Sequence, residues 1–224
     1  MAILTLVVPA YNEEKRVGRL VESLCKSSFL LENAEIIFVV DGKDKTADVI
    51  GLEKGKMPCR IIESEKRLGK GGAVWLGFSQ AKTDYVGFVD ADGPVSMEEL
   101  EAMAKKCIGS VDTCVIASRR MENRGGLRKF SSIVFNLLVK TLFGIGEKDT
   151  QCGCKILPKK LLEGKPFLIS GFAFDVELLR RARKGGGRVE EYSISRGEVG
   201  GGGFSILDAP AMLFDLVRLK LSGG

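Results

Sequence analysis

Short, continuous apolar runs alternate with segments of helical periodicity through the first half of the chain. The runs are AILTLVVP, AEIIFVVD, CRIIES, DYVGFVD and DTCVIASR, and each predicts a buried strand. Between them lie EEKRVGRLVESLCKS, with Val17, Leu20, Val21 and Leu24 on one helical face, then KTADVIGLEK, GKGGAVWLGFSQA and SMEELEAMAKKC. Strands without polar alternation, separated by helices, are buried on both faces. The pattern therefore predicts an α/β fold whose mostly parallel sheet carries helices on both faces. The second half is less regular. A basic, glycine-containing loop leads into a helix over 127–143, and GEKDTQCGCKILPKK reads as a loop with one short strand. FAFDVELLRRARKGG reads as a helix ended by glycines, RVEEYSIS as a strand, EVGGGGF as a flexible loop and LDAPAMLFDLVRLKL as a final helix.

Ligands of such sheets bind outside the carboxyl ends of the strands. Three predicted strands end there in polar groups: Pro9-Ala10-Tyr11-Asn12-Glu13, Asp41, and Asp90 with Asp92. In an extended segment Asp90 and Asp92 aim at one point while Ala91 turns back into the fold. Two carboxylates sharing a site repel unless a proton or a cation lies between them, and Mg²⁺ or Mn²⁺ takes such oxygen ligands together with substrate phosphates. Asp-Gly-Pro is equally turn chemistry, so the residues by themselves admit both a turn and a metal site. RLGKGGA departs from the P-loop pattern, because Ser64 and Gly71 stand where glycine and serine or threonine are required. It admits a tight helix start or a Lys70 placed near a phosphate.

The basic loop adds a second candidate surface. Arg119, Arg120, Arg124, Arg128 and Lys129 face one acid, Glu122, and Arg128, Ser132, Asn136 and Lys140 recur every fourth residue on the helix that follows. Such a stripe is a solvated face or, with arginine and serine one turn apart, a phosphate-binding one.

Composition narrows the chemistry. With 224 residues the chain suffices for one sizeable α/β domain or two small ones, and neither a repeat nor a long linker divides it. The net charge of +5 is too small to indicate nucleic acid. There is no histidine, which excludes Ser-His-Asp and Cys-His mechanisms and histidine-based metal sites. Six scattered cysteines and a start without a secretory pattern lead to an expectation of reduced thiols in a cytoplasmic protein. No apolar run reaches the about 18 residues of a membrane span.

PAYNEE, VVDGKDKT, RLGKGGA, FVDADG, ASRR and DTQCGCK, followed by FAFDVELL, stand in the order found in family 2 glycosyltransferases of the GT-A fold. The set resembles the dolichyl-phosphate hexose synthases most, and its last two motifs the glucosyl branch. The resemblance spans Ile3 to about Leu219 and implies a single Rossmann-like glycosyltransferase domain over 1–224. Its nucleotide-binding half would be 1–118 and its acceptor-binding half 119–224. It implies that Pro9, Tyr11 and Glu13 contact the nucleotide, with Asp41 at the base or ribose and Lys70 and Ala91 in the donor site. Asp90 and Asp92 would hold Mg²⁺ or Mn²⁺ on the donor diphosphate. Arg119, Arg128 and Ser132 would hold the acceptor phosphate, and Asp149, Cys152 and Gly153 would lie beside the sugar. Three positions depart from the family pattern: Val40 replaces an aspartate, Pro94 a glutamine, and no lysine accompanies Gly201-Gly202-Gly203.

The implied reaction moves a hexose from UDP-glucose or GDP-mannose to a polyprenyl phosphate with inversion. An ionised phosphate needs no strong base, which suits a chain without histidine. A rival transfer to a hydroxyl would need Asp149 or Asp175 as base, and a further alternative is a non-catalytic binding module. Because the acceptor is a lipid, a peripheral membrane contact on the cytoplasmic face is expected. On the last helix Asp208, Ala211, Asp215 and Arg218 form a narrow polar stripe, so that segment either packs onto the domain or lies in the bilayer interface.

Overall fold

The structure, a computed structural model, describes residues 2–55, 57–93, 95–119, 126–162, 164–171, 173–195 and 209–222, with 126–134 and 209–210 described by backbone alone. Seven strands form one sheet among these residues: β1 (Leu4–Ala10), β2 (Ala34–Val40), β3 (Cys59–Glu63), β4 (Tyr85–Val89), β5 (Thr113–Arg119), β6 (Cys154–Pro158) and β7 (Arg188–Ile194). Eight α-helices accompany them: α1 (Val17–Lys26), α2 (Ser28–Asn33), α3 (Thr46–Glu53), α4 (Gly69–Ser79), α5 (Met97–Cys107), α6 (Gly126–Phe143), α7 (Phe174–Lys184) and α8 (Ala209–Leu221). The strand order is β3-β2-β1-β4-β6-β5-β7. All pairs are parallel except those of β6, which runs antiparallel to both β4 and β5.

Alternation along each strand divides the core into two layers. Leu4, Leu6 and Val8 of β1, with Ile36, Phe38 and Val40 of β2, meet Val17, Leu20 and Leu24 of α1 and Leu100, Met103 and Cys107 of α5. Val7, Ile37 and Val39 face the opposite way, against Ala73, Val74 and Phe78 of α4, Phe174 and Leu178 of α7, and Leu216 and Leu219 of α8. At about 1.5–3 kcal/mol for each large side chain taken out of water, the two layers supply the main drive to fold. The expected sheet with helices on both faces is therefore present.

Several elements differ from the sequence reading. The first helix starts at Val17, because Arg16 and Val17 donate their N–H groups to Glu13 O and close a turn before it. α2 follows at once, capped by Ser27 Oγ, which accepts from Leu30 N at 3.1 Å. The short strand expected within GEKDTQCGCKILPKK is β6, and it is central rather than peripheral. All five of its residues are buried. The glycine run 200–203 and Pro94 lie outside the described residues. Among the described residues, no helix is long and apolar enough to cross a membrane.

Candidate active site

Because β6 runs against its neighbours, its amino end lies at the same sheet edge as the carboxyl ends of β1, β2, β4 and β5. That reversal brings the segment 149–153 to the loops expected to bind the ligand. Asp90 N donates to Gly153 O at 2.8 Å, and Arg119, at the end of β5, meets Asp149.

The loops after β1 and β2 are joined backbone to side chain. Asn12 takes a positive φ of 55°, and its Oδ1 accepts from Lys43 N at 3.0 Å. Glu13 N donates to Thr46 Oγ1 at 2.8 Å, and Glu14 N to Asp44 Oδ2 at 3.0 Å. Beside these bonds a surface cleft is lined by Asn12, Glu14, Lys15, Arg16, Lys43 and Asp44. Pro9 and Ala10 close β1, and the Tyr11 ring, 42% exposed, carries the Arg67 guanidinium 4.0 Å above its centre. Asp41 is buried at the end of β2, where its Oδ2 accepts from Leu68 N at 2.7 Å and Gly69 N at 3.1 Å. This carboxylate serves the orphan amides at the start of α4 in place of a local cap. Gly69 turns the chain there with φ +71°, a conformation that favours glycine. The tight helix start expected from RLGKGGA is thus present, and it carries Lys70 toward the Asp90 carboxylate.

Asp90 and Asp92 do not continue β4, which stops at Val89. Gly93 N donates to Asp90 O at 3.0 Å and closes a turn, so it is the turn that points the two carboxylates. Lys70 Nζ lies 2.9 Å from the Asp90 carboxylate. Burial alone would lower the proton affinity of that ammonium, but the charges of Asp90 and Asp175 reverse the shift and raise it. Asp92 is held above its ordinary value by burial and then by the charge of Asp90. Glu13 is raised by burial, opposed by Arg16, with Asp92 and Asp90 adding to the rise. Its Oε2 lies 2.7 Å from Arg16 Nε but is not aligned for a hydrogen bond. Three carboxylates thus sense one another at this edge, although among the described residues no three acidic or thiol groups converge as a metal cluster.

The sign of the Asp92 shift gives a stability prediction. A carboxyl whose folded pKa is raised opposes folding above that pKa, and the penalty vanishes below the unfolded value of 3.8. With a chelator present, Asp92→Asn should melt higher than the parent at pH 7, and the gain should shrink as the pH falls toward 3.8. Thermal melts across that range check this; a gain independent of pH excludes the carboxylate as its source.

Arg119 grips Asp149 with two bonds, Nε to Oδ2 at 2.7 Å and Nη2 to Oδ1 at 3.0 Å, while its backbone N–H adds a third at 3.2 Å. Burial opposes the arginine's charge and Asp149 restores it, so the guanidinium is fixed as a cation. Asn136 of α6 donates to Lys148 O at 2.7 Å, which ties the helix's polar stripe to the same segment. Arg128 and Ser132 stand on α6, and their side chains lie outside the described residues. Cys152 is buried, and burial pushes its thiol up to about 12. Sequence reasoning missed Lys155 and Arg67. The available signals were a lysine inside the short apolar strand CKILP and an arginine just before the Gly69–Lys70 helix start.

The family model for glycosyl transferase family 2 matches residues 5–181. A dolichyl-phosphate β-glucosyltransferase of Trichomonas vaginalis is 34% identical over 244 residues, covering 97% of this chain and 70% of the relative. The dolichyl-phosphate β-glucosyltransferase of Saccharomyces cerevisiae is 32% identical over 257 residues, covering 98% and 74%. Among solved structures, glucosyl-3-phosphoglycerate synthase of Mycobacterium tuberculosis, crystallised with Mn²⁺, UDP and glucosyl-3-phosphoglycerate, superposes with a TM-score of 0.72 at 20% identity. That alignment covers 99% of this chain and 79% of the other and shows the shared GT-A fold. A family match over most of the chain, joined by relatives above 30% identity along nearly all of it, places this protein in glycosyl transferase family 2, close to the dolichyl-phosphate β-glucosyltransferases.

Proposed function

We propose that the protein transfers glucose from UDP-glucose to a polyprenyl phosphate of the dolichyl type, with inversion at the anomeric carbon. One observation carries the choice of acceptor. The two carboxylates that could deprotonate a hydroxyl are both held by cations, Asp149 by the two-pronged Arg119 and Asp175 by Lys155. A carboxylate so held already has its oxygens committed to a cation rather than turned to a hydroxyl proton. A phosphate acceptor arrives ionised and needs no base. The glucosyl rather than mannosyl donor follows the relatives, whose names specify glucose.

In this reading residues 1–118 bind the donor and 119–224 the acceptor, within one domain. Tyr11, with Arg67 stacked on it, offers the base a flat face beside Pro9, and Asp41 sets the loop that carries Lys70 and Arg67. Ala91 packs under the turn so that Asp90 and Asp92 face the diphosphate. The donor set fits a hard divalent cation: Lys70 already pairs with Asp90, while Asp92, raised by burial and then by the charge of Asp90, gains a positive partner when a cation lies between the two carboxylates. Asp90 and Asp92 would hold Mg²⁺ or Mn²⁺, which when bound neutralises charge on the departing diphosphate. Lys70 adds an ammonium at the same edge. Arg119, Arg128 and Ser132 orient the acceptor phosphate. One of its oxygens bonds to the anomeric carbon as the bond from that carbon to UDP breaks, and no proton has to move. Holding both partners in line is the principal gain. Incubation with UDP-glucose or GDP-mannose, a polyprenyl phosphate and Mn²⁺ tests the proposal. A glucolipid from the first donor is expected, whereas product only with a hydroxyl acceptor, or none with either donor, refutes it.

The same reading places the protein peripherally on the cytoplasmic face of a membrane, and the exposed apolar side of α8 supports the peripheral contact. Met212, Leu216 and Leu219 pack inward, while Leu213 and Phe214 stand 51% and 68% exposed beside Val217 and Leu221. Leu137 of α6 is exposed as well, and Lys220 Nζ donates to Leu142 O, joining the two helices. An apolar face rimmed by Lys140, Arg218 and Lys220 suits an anionic bilayer surface. Deleting α8 would open the core, so the sharper variant is Leu213→Ser/Phe214→Ser/Val217→Ser. Flotation with anionic liposomes should recover the parent at low salt and lose most of the variant; equal recovery moves the contact elsewhere.

A further inference from the structure

Behind the Asp90–Asp92 turn the fold buries a second pair of charges. Lys155, in the middle of β6, is 0% exposed, and Asp175, in the first turn of α7, is 2% exposed. The lysine ammonium pairs with Asp175 Oδ1 and donates to Cys152 O at 2.9 Å. The other Asp175 oxygen lies 3.8 Å from Lys70 Nζ, which in turn lies 2.9 Å from the Asp90 carboxylate. Charges therefore alternate in a row from core to sheet edge: Lys155, Asp175, Lys70, Asp90. Two aromatic rings flank the row. Lys70 Nζ is 5.1 Å from the Phe88 centroid and 5.6 Å from that of Phe174, and Lys155 Nζ is 5.2 Å from Phe88.

Stability alone gives little reason for this arrangement. Desolvating two charges costs about as much as their attraction returns, and apolar residues of similar volume often serve a core as well or better. What the pair supplies is direction. A lysine with a single carboxylate partner has many rotamers that satisfy it, and its stem loses entropy when held. Lys70 has a carboxylate on either side. The inner one cannot swing, because Lys155 grips it and is itself tied to Cys152 O in a central strand. The neighbouring Gly153 O accepts from Asp90 N, so one short segment, 152–155, braces both ends of the row.

We infer that Lys155 and Asp175 are positioning residues of the donor site: they pin Lys70 from behind, and Lys70 in turn fixes the Asp90 carboxylate. This deepens the proposed reading of the site as one that binds a nucleotide diphosphate.

The test is the double variant Lys155→Met/Asp175→Leu, which replaces the pair with apolar residues, crossed with Lys70→Met. Calorimetric titration with UDP in the presence of Mn²⁺ should show about 10- to 100-fold weaker binding by the double variant, the usual loss when a supporting partner of a binding group is removed. Lys70→Met should weaken UDP binding in the parent and cost much less in the double variant, because the ammonium is no longer placed there. Parent-like UDP affinity in a folded double variant, or full additivity with Lys70→Met, overturns the inference. A ligand-free arm separates this from failure of the donor reading. Urea denaturation of the same four proteins should show coupling between Lys70 and the pair even if the parent does not bind UDP, and that last result would count against the proposed donor alone. No coupling in the denaturation arm overturns the inference. Should the double variant not fold, Asp175→Asn, which keeps the side-chain shape, is carried through the same cycle and decides by the same criteria.

Discussion

Asp90→Asn and Asp92→Asn are each expected to reduce glucosyl transfer by about 10³-fold, the several kcal/mol that a cation on a departing diphosphate supplies, at about 1.4 kcal/mol per decade. The two variants should differ in stability, which separates catalysis from folding. Asp92 is destabilised by burial and by Asp90, so its neutral replacement relieves repulsion. Asp90 is partnered by Lys70 and by the Gly153 carbonyl, yet only its side chain is altered, and Lys70 keeps Asp175 within 3.8 Å. Both proteins should remain folded, with Asp92→Asn at or above the parental melting temperature and Asp90→Asn modestly below. Turnover is to be measured at saturating UDP-glucose with Mn²⁺ varied. Near-parental rates in either variant would remove that carboxylate from the metal-binding role.

Gly153→Ala is expected to disable the site without replacing a polar group. A Cβ built on Gly153 comes within 2.0 Å of Asp90 Oδ2 and 2.5 Å of Asp90 Cγ. The carboxyl group can rotate away, but Asp90 Cβ also lies 3.0 Å from the new atom, so the turn has to give by a few tenths of an ångström while the fold persists. The carboxylate has to turn away, breaking its 2.9 Å contact with Lys70 and its alignment with Asp92. A displacement of about 1 Å at a reacting centre costs about 100-fold in rate. A loss of that size is predicted, with parental circular dichroism and a modestly lowered melting temperature. In the Gly153→Ala background, Asp90→Asn should add little, since the carboxylate has already left its place. A fully active Gly153→Ala enzyme would mean that Asp90 works from another rotamer.

Much of the sheet edge proposed to bind the donor was legible in the chain. Continuous apolar strands separated by amphipathic helices demand a sheet covered on both faces, and such a sheet collects the residues at its strand ends whatever the details. Pro9, Tyr11, Glu13, Asp41, Asp90 and Asp92 are neighbours for that reason. The departures came where local pattern carries too little information. Asp90 and Asp92 admitted both a turn and an extended pair, and a bond from Gly93 N to Asp90 O makes the turn. On α8, periodicity alone could not choose between packing and exposure, because the helix does both: Leu216 and Leu219 enter the core while Phe214 faces out.

The sequence by itself determined the α/β class, the run of strand ends that can meet a nucleotide, and, through the absence of histidine, a chemistry that does without an imidazole base. Local periodicity and residue type are sufficient for these, since they depend on neighbours a few positions away. Only the tertiary structure decided that β6 enters the middle of the sheet in reverse, bringing Gly153 against Asp90 and Asp149 against Arg119. It alone decided that Lys155 is buried, because a lysine in a five-residue strand signals solvent until a carboxylate twenty positions later, Asp175, is folded against it. The worth of a buried charge lies in a partner remote in sequence, and no local pattern records that partner.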